Sequence, residues 1–345
     1  TNNAGITPQL ENVILQIEYT SQYNINTIAE NSQLDFQSGT LSNLIVQNDK
    51  LILKTKEILY GPDDGSSLAN WTVVGASIDS SVGMLAPSFK TTGGKYAYKD
   101  IGITPNTVVE FDAYIIPGTT PLMNFYFLTN SSGSGQMFRL EGRSGASSGF
   151  APTQSWTQWN PPTGYGPVSI GAWHHVKLII GQTNAQGFID GISYGTYTFA
   201  NNGGYIGIHG DGTVVTGGYF DNLVVYRPLN LPGVRVSPVY SIINTGTVAS
   251  SMISWTSNTP AGTSVTVETR VSLDGGTTWF NWQQCTNGGA IPGLPAGTDL
   301  SNAYIQIRQT LSTNNADVVP YLENMNIQIL SSVNNDVVLY IQHEP

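Results

Sequence analysis

The stretch WHHVKLIIGQTNAQGFIDGISYGTYTFANNGGYIGIHGDGTVVTGGYFDNLVVY, residues 173–226, decides the fold. Residues 175–180 first alternate apolar with polar side chains and then run apolar, the pattern of a strand with one buried face. Asp190-Gly191 stands at the tip of residues 187–192, and an Asp-Gly pair flanked by apolar residues is a strong hairpin signal. Residues 205–209 and 220–226 read as two further strands, separated by a glycine-rich loop over 210–218. No segment of helical apolar period interrupts them. The stretch therefore predicts four short strands in a meander that forms one wall of a β-sandwich.

Composition extends this all-β expectation to the whole chain. Thirty-eight glycines and many β-branched runs point to turns and strands, and only 10 % of residues are charged, against about 25 % in average domains. A length of 345 residues predicts two domains. A net charge of −10 with 13 basic residues and no basic run excludes a nucleic-acid partner, whose phosphates need clustered Lys and Arg. There is no apolar run of about 18 residues, so no membrane partner is expected. A single cysteine, Cys285, excludes an internal disulfide.

The Trp-His pair that opens residue 173's strand, the Asp-Gly hairpin about fifteen positions on and the closing Phe-Asp-Asn-Leu-Val-Val-Tyr strand resemble the concanavalin A-like (LamG/glucanase-like) jelly roll. The resemblance covers residues 60–227 and implies a jelly-roll sandwich at 60–228, a fold that serves lectins, adhesion modules and glycan-cleaving enzymes alike. Within it, residues 108–116 alternate cleanly. Val109, Phe111, Ala113 and Ile115 share one face; Glu110, Asp112 and Tyr114 share the other. Around it, residues 19–59 read as a β connector, and residues 235–345 as a second, smaller β-sandwich of immunoglobulin-like size with a terminal strand near 337–341.

Residues 1–18, TNNAGITPQLENVILQIE, repeat residues 313–330, TNNADVVPYLENMNIQIL, with ten identical positions and no gap. Since 313–330 closes the second sandwich, 1–18 is expected to be the closing strand of a preceding repeat, within a longer parent protein; the alternative is a strand that pairs with a neighbouring strand of this same chain. An orphan closing strand has an unpaired edge and seeks a partner. The run SLDGGTTW at 272–279, GGAIPGL at 288–294, residues 296–327 and the repeat itself resemble a module of bacteriophage tail and minor structural proteins. That resemblance implies a spacer or interaction role.

Three chemistries are candidates. Glucanases of the jelly-roll family carry Glu-x-Asp-x-x-Glu on a concave strand, two of whose carboxylates act as acid and nucleophile. The corresponding strand here reads Arg139-Leu140-Glu141-Gly142-Arg143, and in Glu110-Phe111-Asp112 the third carboxylate is replaced by Ile115, so a non-catalytic protein is expected. Glycan binding joins aromatic platforms to a few polar groups. Trp156, Trp159 and Tyr165 fall in one irregular loop, and Arg139, Glu141 and Arg143 line one strand face, so these six are the candidate ligand-binding residues; the bland alternative is edge-capping tryptophans and a ladder of salt bridges. No cofactor is expected beyond a structural Ca²⁺, for which Asp221 is the candidate ligand, with Asp211 and Asp63-Asp64 in other oxygen-rich turns. The Ser-x-Asp-x-Gly-x-Thr-Trp pattern at 272–279 is expected to act as a hairpin staple.

The expected function is carbohydrate binding or adhesion by a module of a surface protein, a bacteriophage tail or minor structural protein that recognises host surface glycan. The expected location is the virion or the outside of a cell. Expected partners are polysaccharide or host glycan, and other copies or neighbouring virion proteins. The alternatives are polysaccharide cleavage through Glu110, Asp112 or Glu141, and a purely structural module whose concave face is filled by side chains or covered by a loop.

Overall fold

The computed structural model describes residues 13–18, 23–153, 156, 165–210, 217–229, 231–332 and 338–343, with backbone alone at 13–18 and 338–343. It divides the chain into two compact units, one made of Thr1–Thr55 with Asn230–Pro345, the other of Lys56–Leu229. The jelly roll is thus inserted into the second sandwich. The first segment contains β1 (Val13–Glu18), β2 (Tyr23–Glu30), the short helix α1 (Gln33–Gln37), β3 (Thr40–Ser42), β4 (Leu44–Gln47) and β5 (Lys50–Leu53). Ser32 caps α1 in a reciprocal capping box with Asp35. Residues 19–59, expected to be a connector, instead contribute core: Phe36, Leu44, Leu51 and Leu53 are buried in the sandwich completed by the C-terminal segment. The alternation around Asn48-Asp49 marks strands but says nothing of partners two hundred residues away.

The inserted unit holds β6 (Lys56–Asp63), β7 (Thr72–Val74), β8 (Ser77–Asp79), β9 (Ser88–Thr92), β10 (Tyr96–Asp100), β11 (Thr107–Ile115), β12 (Leu122–Thr129), β13 (Gly135–Glu141), β14 (Gly149–Thr153), β15 (Trp173–Ile180), β16 (Asn184–Ile189), β17 (Ile192–Thr198), β18 (Tyr205–Gly210) and β19 (Gly217–Pro228). One sheet has the order β14-β13-β12-β18-β10-β7, the other β17-β16-β15-β11-β19-β9-β8 with β6 alongside β19. Their inner faces interdigitate: Val109, Phe111, Ala113 and Ile115 of β11 meet Phe125, Phe138, Leu140, Ile206 and Ile208. Phe111 stacks on Phe125 with centroids 4.7 Å apart. Asp190 and Gly191 both adopt positive φ (52° and 77°), the twist that a two-residue hairpin requires.

The described part of residues 173–226 forms five strands, not the expected four in one wall. β15, β16 and β17 pair in sequence in one sheet, β18 crosses to the other, and β19 returns. Ile206 and Ile208 carry their side chains into the same core from the opposite sheet, an outcome that a period of two does not distinguish.

The returning segment supplies β20 (Gly233–Val236), β21 (Tyr240–Ser241), β22 (Thr247–Asn258), β23 (Thr263–Ser272), β24 (Gln283–Gln284), β25 (Tyr304–Thr313), β26 (Tyr321–Ser332) and β27 (Val338–His343). One sheet runs β2-β26-β5-β4 with β22 on β26; the other runs β24-β23-β25-β20-β3 with β21 on β25. β1 and β27 form a two-stranded antiparallel ladder.

Candidate functional site

The outer face of the β14–β7 sheet carries a polar row across four strands. Tyr96 lies opposite His209, His209 opposite Asn124, and Asn124 opposite Arg139. Arg139 Nε donates to Asn124 Oδ1 at 2.8 Å, and Asn124 Nδ2 lies 3.2 Å from His209 Nδ1. The next row holds Tyr98, Tyr126, Met137 and Ala151. Trp156 packs onto this row, stacked on Tyr98 with centroids 4.3 Å apart, and its Nε1 donates to the Ser131 carbonyl at 3.1 Å. Gly207 makes room for it, since a Cβ there would come within 2.5 Å of the Trp156 ring.

The six sequence candidates therefore separate. Arg139, Glu141 and Trp156 are withdrawn from solvent, at 0 %, 1 % and 5 % exposure. Glu141 is closed by Arg143, whose Nε and Nη2 reach Oε1 and Oε2 at 2.9 and 2.7 Å. Of the Arg-Glu-Arg face, expected to offer hydrogen bonds to a ligand, Arg139 and Glu141 are thus buried, while the Arg143 side chain stays 35 % exposed. Burial, invisible in a period of two, decides this. Trp159 lies outside the described residues. Tyr165 is exposed.

Tyr165 leads to a cleft of about 220 Å³ at the sandwich edge, where β14 of one sheet comes beside β17 of the other. Phe150, Tyr165, Tyr194, Gly195 and Tyr197 line it. Tyr165 and Tyr194 lie 5.6 Å apart at 51°, and Tyr197 stacks on Phe150 at 5.8 Å and 14°. Tyr194 and Tyr197 are three positions apart and would face opposite sides of a regular strand. The β16–β17 ladder shifts register between Gln186 and Phe188, and this bulge brings both rings to one cleft. Gly195 sits within it at φ +89°, where a Cβ would come within 2.6 Å of the Tyr165 ring. Burial pushes the phenol pKa values of Tyr194 and Tyr197 up, with Asp190's charge adding to the shift at Tyr194. Both hydroxyls therefore keep their protons at neutral pH and can donate. Sequence reasoning missed these two tyrosines because the strand period sets them on opposite faces; the glycine at 195 was the available signal.

The carboxylates of the hydrolytic reading are divided between the two outer faces. Glu110 and Asp112 project from β11, whose alternate residues fill the core, and Glu141 projects from β13 of the opposing sheet. Glu110 accepts the Tyr226 hydroxyl at 2.8 Å and lies 3.4 Å from Lys177 Nζ. Asp112 meets His175 Nδ1 at 2.9 Å and accepts Asn222 Nδ2 at 2.8 Å. Acid and nucleophile must flank one bond. Opposite walls of the sandwich do not allow that for Glu141 with either β11 carboxylate.

Asp221 is buried on β19, and its oxygens accept backbone N–H groups of Met84 and Asn222, both at 2.7 Å. Burial raises its pKa against the pull of these donors. The bond from the Met84 N–H ties Asp221 to the loop before β9. Asp63 and Asp64 accept N–H groups of Gly65 and Ser66, as turn aspartates do. Asp211 lies outside the described residues. Among the described residues no group of three or more His, Cys, Asp or Glu converges to hold a metal ion.

No protein-family model matches the chain, and no curated protein sequence matches it. Among solved structures, it is similar to the carbohydrate binding module CBM66 from Bacillus subtilis, at 10 % identity and TM-score 0.35, over 45 % of this chain and 94 % of that one. It is similar to a Bacillus subtilis protein of unknown function with a galectin-like fold, at 13 % identity and TM-score 0.37, over 51 % and 98 % of the two chains. Domain 4 of AbnA, a GH43 extracellular arabinanase from Geobacillus stearothermophilus in complex with arabinotriose, matches at 14 % identity and TM-score 0.34, over 50 % and 91 %.

Proposed function

We propose that the jelly-roll unit binds carbohydrate, and that the cleft of Tyr165, Tyr194 and Tyr197 is its site. The observation that carries this is the convergence of three tyrosines on one open cleft by way of a β-bulge. Aromatic faces pack against the C–H faces of sugar rings, and the phenol hydroxyls donate to ring and hydroxyl oxygens. The cleft is smaller than the roughly 300–1,000 Å³ of drug-sized sites, which suits one residue of a chain that continues into solvent. The resemblance of residues 264–330 to bacteriophage tail modules supports a glycan on a host cell surface as the ligand, with the module carried on a virion or another exterior surface.

Glycan-array screening followed by calorimetry tests the proposal. Tyr194→Ala and Tyr197→Ala are each expected to weaken binding about tenfold or more, about 1.4 kcal/mol. No glycan bound, or wild-type affinity retained in both variants, would overturn it.

The purely structural reading is favoured by one observation, the packing of Trp156, Tyr98 and Tyr126 over the face where a lectin of this shape would open a groove. It expects no glycan binding at all, and the same array separates the two readings.

A further inference from the structure

The repeat of 1–18 at 313–330 continues in the strand pairing, beyond the residues that match in sequence. In the β2·β26 ladder, Met325 faces Glu30, Ile329 faces Asn26 and Leu330 faces Ile25. The counterparts of Met325, Ile329 and Leu330 in the first copy are Val13, Ile17 and Glu18, and these face His343, Leu339 and Val338 of β27. β27 therefore stands to β1 as β2 stands to β26. The step is constant: His343 over Glu30, Leu339 over Asn26 and Val338 over Ile25 are each 313 positions apart, one more than the 312 that separate residue 313 from residue 1. The extra residue falls in the links, which are residues 19–22 in the first copy and 333–337 in the second.

The segments β1–β2 and β26–β27 are thus two copies of one strand–link–strand unit, and each pairs with the other. The pairing is reciprocal. Glu18 faces Val338; Ile25, the counterpart of Val338, faces Leu330, the counterpart of Glu18. A segment that pairs antiparallel with its own copy is self-complementary about a local twofold axis, which is what an isologous contact between identical chains requires.

The two halves of this ladder are not equally supported. β26 lies between β2 and β22, and its Met325, Ile327 and Ile329 are core. Among the described residues β1 and β27 pair only with one another, and a lone two-stranded ladder is marginal in water. Short links beside such a ladder are where segment exchange between chains occurs. We propose that β1 and β27 form a self-association element: two copies of this chain join by exchange, β27 of each pairing with β1 of the other in the register Val13–His343 to Glu18–Val338. The β2·β26 ladder stays within each chain.

The test uses the full chain. Light scattering across a concentration series should show a dimer that grows with concentration and is lost when residues 333–345 are removed, with the circular dichroism spectrum unchanged. Register is tested in a Cys285→Ser background by mixing chains that carry only Gln16→Cys with chains that carry only Tyr340→Cys, residues that face each other across the ladder. Mild oxidation should yield a linked heterodimer that a mixture of Gln16→Cys with His343→Cys does not. A monomer at every concentration, a truncated chain that remains dimeric, or mixed chains that link no better than the out-of-register pair would each overturn the proposal.

Discussion

Arg235 and Glu30 place two opposite charges in the interior. Both are buried, at 0 % and 1 % exposure, and they meet as a fork: Nη1 reaches Oε2 and Nη2 reaches Oε1, each at 2.9 Å. Gln309 and the carbonyls of Asp35, Phe36 and Ser38 take further guanidinium N–H groups, and Tyr240 donates to Glu30. Burial first, then the hydrogen bond to Glu30 and its charge, push the Tyr240 phenol up to about 12. Removing one partner leaves the other buried and unpaired, so Glu30→Ala is expected to lower the free energy of unfolding by ~3–5 kcal/mol in urea titration. Asp274 gives the opposite case, an exposed turn. It accepts the Thr278 N–H and hydroxyl and the Ser272 hydroxyl, and these bonds, Thr278's first, hold its pKa down to about 2. A depressed carboxylate contributes fully above its unfolded value of about 3.9 and loses that contribution as pH falls through the folded value. The Asp274 side-chain carboxyl resonance, followed by NMR, is therefore expected to titrate with a midpoint near pH 2. A midpoint near the unfolded value would contradict this. The staple was legible because its bonds span eight residues; the Arg235–Glu30 pair was not, because 205 positions separate its members.

At the scale of elements, β17 shows how an irregularity makes a site. A regular strand would divide Tyr194 and Tyr197 between core and solvent, and the bulge near Gly195 unites them. Gly195→Ala tests the geometry. The left-handed backbone and a Cβ within 2.6 Å of the Tyr165 ring oppose it, so the ring must move. The expected outcome is a loss of about 1–2 kcal/mol in stability from overpacking, together with weaker glycan binding by calorimetry. Unchanged binding would show that Tyr165 does not depend on this contact. The strand β13 teaches a complementary lesson. Its alternation of Phe138 and Leu140 with Arg139 and Glu141 correctly divides core from outer face, yet the outer face is itself covered, with Trp156 packed against it.

The whole molecule is one sandwich interrupted by another. The inserted unit, residues 56–229, has its own core of paired sheets, while the enclosing unit needs chain from both sides of the insertion. Residues 56–229 expressed alone are expected to unfold cooperatively and to keep the glycan affinity of the full chain. Residues 230–345 alone lack Phe36, Leu44, Leu51 and Leu53 from their core and are expected to remain unfolded by circular dichroism. A folded 230–345 would show that the N-terminal strands are an accessory.

Sequence by itself determined that this protein is all-β, that the strand at 107–115 has one buried face, that 272–279 closes a hairpin on itself and that 1–18 repeats 313–330. Each of these is written in short-range alternation, in the conformational demands of turn residues, or in direct identity. Only the tertiary structure decided that β18 crosses between sheets, that residues 23–55 complete a core begun near residue 233, and that Arg139, Glu141 and Trp156 are sealed while Tyr194 and Tyr197 line a cleft. The physical reason is that alternation states which side of a strand is apolar, whereas pairing partners, register shifts and what covers an outer face are set by contacts between residues far apart in the chain.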